Sequence, residues 1–285
     1  MSEKLKIVDC PRDAMQGIHN FIPTEDKIDH LSKLLKVGFD TIDCGSFVSP
    51  KIIPQMADTA EVLNAMKAVP HSSKLSVIIA SEGGAERALS HQNVDLLGFP
   101  FSISEEFQQN NTHKSREEAF QSILNIARLV EGSGKEVLVY FSMAFGNPYG
   151  EEWNVSLVKE WAKRFADIGI QRINLSDTTS VADPAEVAEL FRTLIPQYPE
   201  IEFGAHFHSQ YDDWFDKVDA AYRNGCRRFD GAIKGFGGCP MAKSDLVGNT
   251  PTEKLITYAE SVKATHGLDL LAFESAYNSA LKIMG

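Results

Sequence analysis

The stretch that decides the fold is LKIVDCPRDAMQGIHNFIPTEDKIDHLSKLLKVGFDTID, residues 5–43. A short apolar run, LKIV (5–8), precedes a longer segment with helical spacing, and a second run, FDTID (39–43), closes the unit. We predict that Thr24 caps the start of the helix and that Gly38 ends it, since threonine accepts from free N–H groups and glycine tolerates a left-handed conformation. Strand, helix and strand in this order predict a parallel sheet.

The same unit recurs along the rest of the chain. Six further β-rich runs are separated by segments with helical periodicity; they are LSVIIA (75–80), VDLLGF (94–99), EVLVYFS (136–142), RINLS (172–176), IEFGAHFH (201–208) and RRFDGAI (227–233). Eight such units predict an α/β fold, a closed (β/α)8 TIM barrel, with residues 1–285 as a single catalytic domain. The alternative is a doubly wound open sheet, but no GxGxxG motif follows the first run.

Composition narrows the classes of partner. The formal net charge is −11, which argues against nucleic acid and anionic membranes because both attract basic patches. No apolar run approaches the roughly 20 residues of a membrane span, and MSEKLKIVDC lacks the apolar region of a signal peptide. The cysteines, which are Cys10, Cys44, Cys226 and Cys239, show no CxxC spacing. We therefore expect reduced thiols in a cytoplasmic enzyme that binds neither nucleic acid nor membrane.

Polar side chains suited to chemistry fall where the predicted strands end. They are Arg12 and Asp13 after the first strand, Asp43 at the end of the second, Ser176 and Asp177 at the end of the sixth, and His206 and His208 at the end of the seventh. Active sites of β/α barrels lie at the carboxyl ends of the strands. The sequence therefore predicts an active site at that face.

A divalent-cation site is predicted from the seventh strand. His206 and His208 alternate along a strand, so both imidazoles point to the same face. Asp13 adds a carboxylate and Asn249 an amide oxygen, a donor set that suits Mg²⁺ or Mn²⁺ better than structural zinc. The alternative is a pair of structural histidines held by hydrogen bonds.

Arg12 and Cys239 each allow two interpretations. The Arg12 guanidinium would stabilise negative charge developing on an enolate oxygen, or would form a salt bridge that holds the first loop. Asp43 is a candidate partner of Arg12 in either case. Cys239, in the glycine-rich sequence GGCP (237–240), would transfer a proton, or would be an inert buried thiol.

Motifs spread over most of the chain carry a family resemblance. They are IVDCPRDAMQ (7–16), DCGSFVSPKIIPQM (43–56), FGNPYG (145–150), INLSDTTSVADP (173–184), AHFH (205–208), and KGFGGCP with GNTPTE (234–253). In this order they resemble the hydroxymethylglutaryl-CoA lyase family of barrel metallolyases, which is related to isopropylmalate synthase. The segments around Ser46 and Cys239 are narrower than the superfamily pattern and favour the lyase.

The resemblance implies an activity and a set of site residues. The activity is the divalent-metal-dependent cleavage of 3-hydroxy-3-methylglutaryl-CoA to acetyl-CoA and acetoacetate, with Mg²⁺ or Mn²⁺ as cofactor. The implied metal ligands are Asp13, His206, His208 and Asn249. The implied catalytic residues are Arg12 for the enolate, Asp43, and Cys239 as the thiol on a loop. The implied substrate-binding residues are Gln16, Ser46, Ser176 and Asp177, with Lys51 expected at the CoA pyrophosphate.

Several departures from the family pattern keep alternatives open. Asp43 stands where a glutamate is usual, Ser209 where an aspartate is common, and His19 in place of a lysine, and one extra residue separates Cys239 from Asn249. The alternatives are a related aldolase or Claisen-condensing synthase that acts on another acyl-CoA or 2-oxo acid, and an inactive barrel that only binds acyl-CoA. We expect an acyl-CoA as the partner, with a homodimer as the candidate assembly.

Overall fold

The computed structural model describes residues 3–209, 213–238 and 247–285. The strands are β1 Lys6–Asp9, β2 Thr41–Ser46, β3 Lys74–Ile78, β4 Leu96–Ser102, β5 Glu136–Ser142, β6 Arg172–Asp177, β7 Glu202–Ser209, β8 Arg228–Gly231 and β9 Gly248–Asn249. The α-helices are α1 Pro11–Gln16, α2 Thr24–Val37, α3 Thr59–Met66, α4 Glu82–Leu89, α5 Glu105–Thr112, α6 Arg116–Val130, α7 Val155–Asp167, α8 Pro184–Gln197, α9 Trp214–Arg223, α10 Thr252–Ser261 and α11 Leu270–Met284. Short 3-10 turns lie at Pro54–Met56 and Ile233–Gly235. Of the helices in these ranges, none has both the length and the apolar character needed to cross a lipid bilayer.

Strands β1 to β8 form a closed parallel barrel. Each strand pairs with the next, and β8 pairs with β1 through Lys6 and Arg228. The predicted TIM barrel is therefore confirmed, and β5 begins and ends where the sequence placed it. One prediction is wrong: β2 continues to Ser46 through a register shift, so Asp43 lies inside the strand and not at its end.

Of the two helix-end signals predicted for α2, the one at Gly38 is present in the structure and the one at Thr24 is not. Gly38 ends α2 in the left-handed region with φ of 85°. Asp183 caps α8, because its carboxylate accepts from the Ala185 N–H at 2.7 Å. The prediction for Thr24 is wrong: Pro23 occupies the cap position, and the Thr24 hydroxyl donates instead to Asp58, a partner distant in sequence.

The core lies between the barrel and its surrounding helices. One part of it is an aromatic cluster. The Phe101 ring on β4 lies 4.7 Å from Trp161 and 5.0 Å from Phe165, both on α7, and Phe141 and Phe120 complete the cluster. Tilted and edge-on rings at these separations add to the stabilisation that burial alone supplies. The cluster thus packs β4 and β5 against α6 and α7 on the outside of the barrel.

Charged side chains interlock at the amino-terminal end of the barrel. They belong to the first residues of five strands, namely Lys6, Lys74, Glu136, Arg172 and Glu202. Glu202 accepts from Lys6 and Arg172, while Glu136 accepts from Arg172 at 2.6 Å and from Lys74 at 2.8 Å. These ion pairs lie at the end of the barrel opposite the carboxyl ends of the strands, where the functional sites of β/α barrels form.

Acidification is expected to destabilise the protein through His30. His30 on α2 is 1% exposed, and neither ring nitrogen has a hydrogen-bond partner among the described residues. Burial lowers the pKa of His30 to about 4, whereas an unfolded histidine titrates near 6.5. The unfolded chain therefore binds the extra proton between these values, and the free energy of unfolding falls by roughly 2 kcal/mol between pH 7 and 4.5 through this group.

Urea unfolding of His30→Leu at pH 7 and 4.5 measures this contribution. The variant should lose about 2 kcal/mol less stability on acidification than the wild type. His71→Leu, which changes an exposed imidazole, is the matched control and should behave as the wild type does. Equal acid sensitivity of His30→Leu and wild type would contradict the assignment.

Candidate metal centre and active site

Three predicted ligands meet at the carboxyl end of the barrel. His206 and His208 alternate on β7, and Asp13 lies on α1 directly after β1. One ligand atom from each of the three lies within 4.8 Å of the other two, and all three residues are buried. The structure therefore brings together residues that are almost 200 positions apart in sequence, as the barrel prediction requires.

Helix α1 explains why Asp13 faces this point. The sequence suggested a loop after β1, but Pro11 begins a short helix at its first position, where the missing N–H costs nothing. The helix buries both Arg12 and Asp13. A compact turn at the end of a strand thus fixes two adjacent charged side chains against the lumen.

The protonation states of these groups suit a divalent cation. Burial alone would raise the pKa of Asp13, but the nearby charge of Arg12 and the two imidazoles lower it to about 2. Burial lowers the pKa of His208 to about 4, and its Nδ1 atom is buried without a partner in the described parts of the chain. A carboxylate and a neutral imidazole with a free lone pair are both competent ligands at pH 7.

Among the described residues, the Cys10 thiol lies close to His206 and Asp230. Burial raises the pKa of Cys10, and the surrounding carboxylates raise it further. Because only the thiolate binds metals strongly, the donor set that fits an ion is imidazole nitrogen with carboxylate oxygen. These are the ligands of Mg²⁺ and Mn²⁺ sites, so the residues present fit the predicted cofactor class.

Asn249 reaches the same cluster through an added strand. It is the antiparallel register partner of His208, because β9 folds back along β7. Its amide nitrogen donates to Asp13 Oδ2 at 2.8 Å and to the Phe236 carbonyl at 2.9 Å. The position is therefore the predicted one, although the amide would have to turn over to present its oxygen to a cation.

Arg12 bridges the two carboxylates. Its Nε and one terminal nitrogen donate to Asp43 Oδ2 at 3.0 and 2.5 Å, and the other donates to Asp13 Oδ1 at 2.9 Å. A third acceptor, Gln16 Oε1, lies at 2.9 Å. Planar guanidinium groups favour such forked contacts. The salt bridge that the sequence allowed is present, and it orients the Arg12 guanidinium at the carboxyl end of the barrel.

Asp43 retains one free acceptor. Its Oδ2 atom is held by Arg12, while Oδ1 is buried without a hydrogen-bond partner within the described ranges. Burial raises the pKa of Asp43, and the charge of Arg12 only partly offsets this effect. A buried carboxylate with a raised pKa and an unused oxygen is suited to accept a proton from a ligand.

Sequence reasoning missed the residues behind His206. Asp230 on β8 accepts from His206 Nδ1, with the two atoms 3.1 Å apart, and from Asn174 Nδ2 at 2.7 Å. The signal was present, because Asp230 is an acidic residue inside the apolar run RRFDGAI and shares a strand face with Arg228. A charged residue at a lumenal strand position has to be paired.

Gln55, in the turn after β2, was also missed. Its side chain is 3% exposed; it accepts from the Ile22 N–H and donates to the carbonyls of Ile18 and Asn20 at 2.9 to 3.0 Å. These bonds fasten the segment that follows α1. No local sequence pattern indicates these bonds, since the partners lie more than 30 residues away.

The predicted substrate-binding residues occupy different environments. Ser176 on β6 is the register partner of His206, and its hydroxyl is buried without a partner among the residues described. Ser46 at the end of β2 accepts from the Val48 N–H at 3.1 Å. Gln16 is bonded to Arg12 and Asp13. Of these, Ser176 has the hydroxyl most available to a ligand.

Asp177 and Lys51 differ from these three. Asp177 accepts from the Val181 and Ala182 N–H groups and from Lys217 Nζ at 2.9 Å, so its carboxylate braces the loop after β6. Lys51 is exposed in the turn after β2. The Asp177 carboxylate is thus occupied by hydrogen bonds within the protein. The Lys51 side chain is exposed and accessible to solvent or to a ligand.

Cys239 lies outside the described residues. Gly237, two residues before it, packs closely against α1: a Cβ there would lie 2.6 Å from the Asp13 carbonyl oxygen and 2.8 Å from the Ala14 Cα. Gly237 also has φ of 93°. Glycine is thus required both for the conformation and for close approach to α1.

Comparison with known proteins places this geometry among related chains. A model of the family described as HMGL-like matches residues 4–279. The mitochondrial hydroxymethylglutaryl-CoA lyase of Macaca fascicularis is 31% identical over 281 residues, which cover 98% of this chain and 85% of that protein. The cytoplasmic 3-hydroxy-3-methylglutaryl-CoA lyase of Danio rerio is 31% identical over 94% of this chain and 79% of its own length.

Among solved structures, an HMG-CoA lyase from Acinetobacter baumannii in complex with coenzyme A and 3-methylmalate superposes with a TM-score of 0.90. It is 29% identical, and the match covers 99% of this chain and 92% of that one. The lyase structure from Pseudomonas aeruginosa gives a TM-score of 0.91 at 27% identity, with 100% and 94% of the two chains covered.

Proposed function

The chain belongs to the HMGL-like family, and we propose that it is a divalent-metal-dependent lyase that cleaves 3-hydroxy-3-methylglutaryl-CoA to acetyl-CoA and acetoacetate. The single observation that carries the proposal is the meeting of two adjoining groups at one end of the barrel. Asp13, His206 and His208 form a ligand cluster, and Arg12 links Asp13 to Asp43.

We propose that Asp13, His206, His208 and Asn249 hold the cation. Mg²⁺ or Mn²⁺ is the proposed identity, because the donors are oxygen and imidazole nitrogen and the adjacent Cys10 thiol is held protonated. A bound divalent cation supplies Lewis-acid polarisation and orientation of substrate oxygens. The orphaned Nδ1 atom of His208 supports this assignment, because a buried nitrogen without a partner is costly unless a ligand completes it.

Cleavage needs a proton acceptor for the tertiary hydroxyl of the substrate. Asp43 Oδ1 supports this role better than His206 Nδ1 does, because Nδ1 is already bonded to Asp230. As the proton moves to Asp43, the carbonyl of acetoacetate forms, and the bond to the thioester methylene breaks. The electron pair of that bond enters the thioester as an enolate.

The enolate requires a neighbouring positive charge and then a proton on carbon. Arg12 supplies the charge, since a preorganised guanidinium in a water-poor site stabilises an oxyanion strongly. Cys239 is proposed to deliver the proton that converts the enolate to acetyl-CoA. The resemblance supports this role, and Gly237 supports it by bringing the preceding chain against α1.

We assign the substrate contacts to polar side chains that the structure leaves accessible to a ligand. Ser176 offers a buried hydroxyl beside His206, Gln16 is bonded to Arg12, and Ser46 ends β2, the strand that carries Asp43. Asp177 is proposed to act indirectly, by bracing the loop after β6. Lys51, exposed at the rim, is the proposed partner of the CoA pyrophosphate.

A metal-supplemented assay tests the function directly. Purified enzyme with Mg²⁺ or Mn²⁺ and 3-hydroxy-3-methylglutaryl-CoA should release acetoacetate and acetyl-CoA in equal amounts, and EDTA should stop the reaction. Acetyl-CoA supplied with a series of 2-oxo acids is the parallel arm, since a Claisen-condensing synthase would consume it. Binding of the thioester with no metal-dependent turnover would sink the proposal and leave an acyl-CoA-binding barrel.

Compartment and assembly stay predictions. Relatives occur in both the cytoplasm and the mitochondrion, and the cytoplasm is our proposal for this chain from its cysteine pattern. A homodimer is likewise proposed as the assembly.

A further inference from the structure

We propose that Asp230 is a positioning residue that fixes the tautomer and ring orientation of His206 for the bound cation. The inference rests on the proposed cation site and extends it to residues that are not ligands. It assigns a role to a buried polar chain that crosses three neighbouring strands, β6, β7 and β8.

Asp230 is in direct contact with His206. The two residues are register partners on β8 and β7, and Asp230 Oδ2 lies 3.1 Å from His206 Nδ1. Asp230 is 3% exposed, so the carboxylate has little competing water. A carboxylate oxygen can only accept, so Nδ1 carries the hydrogen, and the lone pair is left on Nε2 for an ion.

Asn174 holds the Asp230 carboxylate in place. Asn174 on β6 is fully buried and donates to the same Asp230 oxygen at 2.7 Å. Glycine at position 204 of the intervening strand makes room, because a Cβ there would lie 2.3 Å from Asn174 Oδ1. Asn174 therefore prevents the carboxylate from rotating away from the imidazole, and Gly204 permits Asn174 to be there.

The two imidazoles differ in what contacts their Nδ1 atoms. His206 has its Nδ1 occupied by Asp230, whereas His208 has its Nδ1 buried and unpartnered in the described structure. The two rings would thus present different nitrogens to one cation, Nε2 from His206 and Nδ1 from His208. In the described parts of the chain, only the His206 ring has its second nitrogen bonded to a carboxylate, and this bond increases electron density at the ligating nitrogen.

Two neighbouring rings restrict the orientation of the His206 imidazole. Tyr140 on β5 meets the His206 ring edge to face, with centroids 5.5 Å apart, and His208 meets it at 5.1 Å. These contacts limit how far the ring can tilt, but neither contact distinguishes the two ring nitrogens. Asp230 alone supplies that distinction among the described contacts of the ring.

Mn²⁺ titration of the apo full-length protein by calorimetry tests the inference. Asp230→Ala should weaken Mn²⁺ binding by about 10- to 100-fold, the usual loss when the partner of a ligating histidine is removed. Asp230→Asn should weaken it less, because the amide oxygen still accepts from Nδ1 but carries no charge. Asn174→Ala should fall between the wild type and Asp230→Asn.

Asp9→Asn is the matched control. Asp9 is a similarly buried carboxylate on the adjoining strand β1, but it accepts from the Thr252 hydroxyl and has no hydrogen bond to an imidazole within the described ranges. Its replacement should leave Mn²⁺ affinity at the wild-type value. A loss as large as that of Asp230→Ala would show a general effect of removing buried charge and would overturn the inference.

Nitrogen-15 NMR of the histidines gives a second readout that a purely structural role would not move. In the apo wild type the hydrogen of His206 should reside on Nδ1, and in Asp230→Asn, which keeps the shape of the side chain, that preference should weaken. If Asp230→Ala does not fold, this isosteric variant carries the test. Wild-type binding of Mn²⁺ with unchanged affinity in the Asp230 variants overturns the inference alone, whereas absence of Mn²⁺ binding in the wild type overturns the cation site as well.

Discussion

Asp13→Ala is expected to abolish turnover while the barrel stays folded. The carboxylate is the only oxygen anion in the three-residue cluster with His206 and His208, so its loss removes the charge that attracts a divalent cation. We expect activity to fall by on the order of 10³-fold or more, since this removes the principal electrostatic element of the site. Arg12 keeps its pairing with Asp43, so the buried guanidinium is not left alone.

Calorimetric Mn²⁺ titration and a turnover assay on the same preparation would measure this effect. Asp183→Ala, which removes a carboxylate that caps α8, is the control. It should cost about 1 kcal/mol of stability and leave Mn²⁺ affinity unchanged. Turnover by Asp13→Ala at the wild-type rate in EDTA would refute the metal role.

Arg12→Lys is expected to keep the fold and lose roughly 10²- to 10³-fold in turnover. Lysine retains the charge between Asp13 and Asp43, so the buried carboxylates stay neutralised. It cannot reproduce the fork in which three nitrogens contact Asp43, Asp13 and Gln16 at once. The ammonium would therefore be displaced from the place where enolate charge develops.

Rates with saturating metal and substrate, compared with melting temperatures, separate the two effects. Arg172→Lys is the matched control, because Arg172 makes forked contacts with Glu136 and Glu202 at the opposite end of the barrel. It should change the melting temperature but not turnover per folded molecule. An Arg12→Lys enzyme with the wild-type rate would reduce Arg12 to a structural salt bridge.

The barrel, and the proximity of Asp13 to His206 and His208, could be predicted from sequence because the signals are local. Strand β5 is read directly from EVLVYFS, and alternation along β7 places His206 and His208 on one face. The barrel rule then brings Asp13 to the same end without any knowledge of distances. Periodicity and fold class together were enough.

The misses share a different cause. Thr24 was misassigned because its hydroxyl bonds to Asp58, 34 residues away, and Asp43 because a bulge lengthens β2. Asp230 acquires its meaning only from His206 and Asn174 on two other strands. A single sequence carries no local pattern for pairings of this kind, since they arise from barrel closure.

Substrate and products share one route to the proposed active site. The barrel interior is packed with side chains, and Lys6, Arg172 and Glu202 are paired at its amino-terminal end, so a thioester reaches the site from the carboxyl face. Both products of cleavage leave by that same face. A product retained there therefore competes with the next substrate molecule for entry.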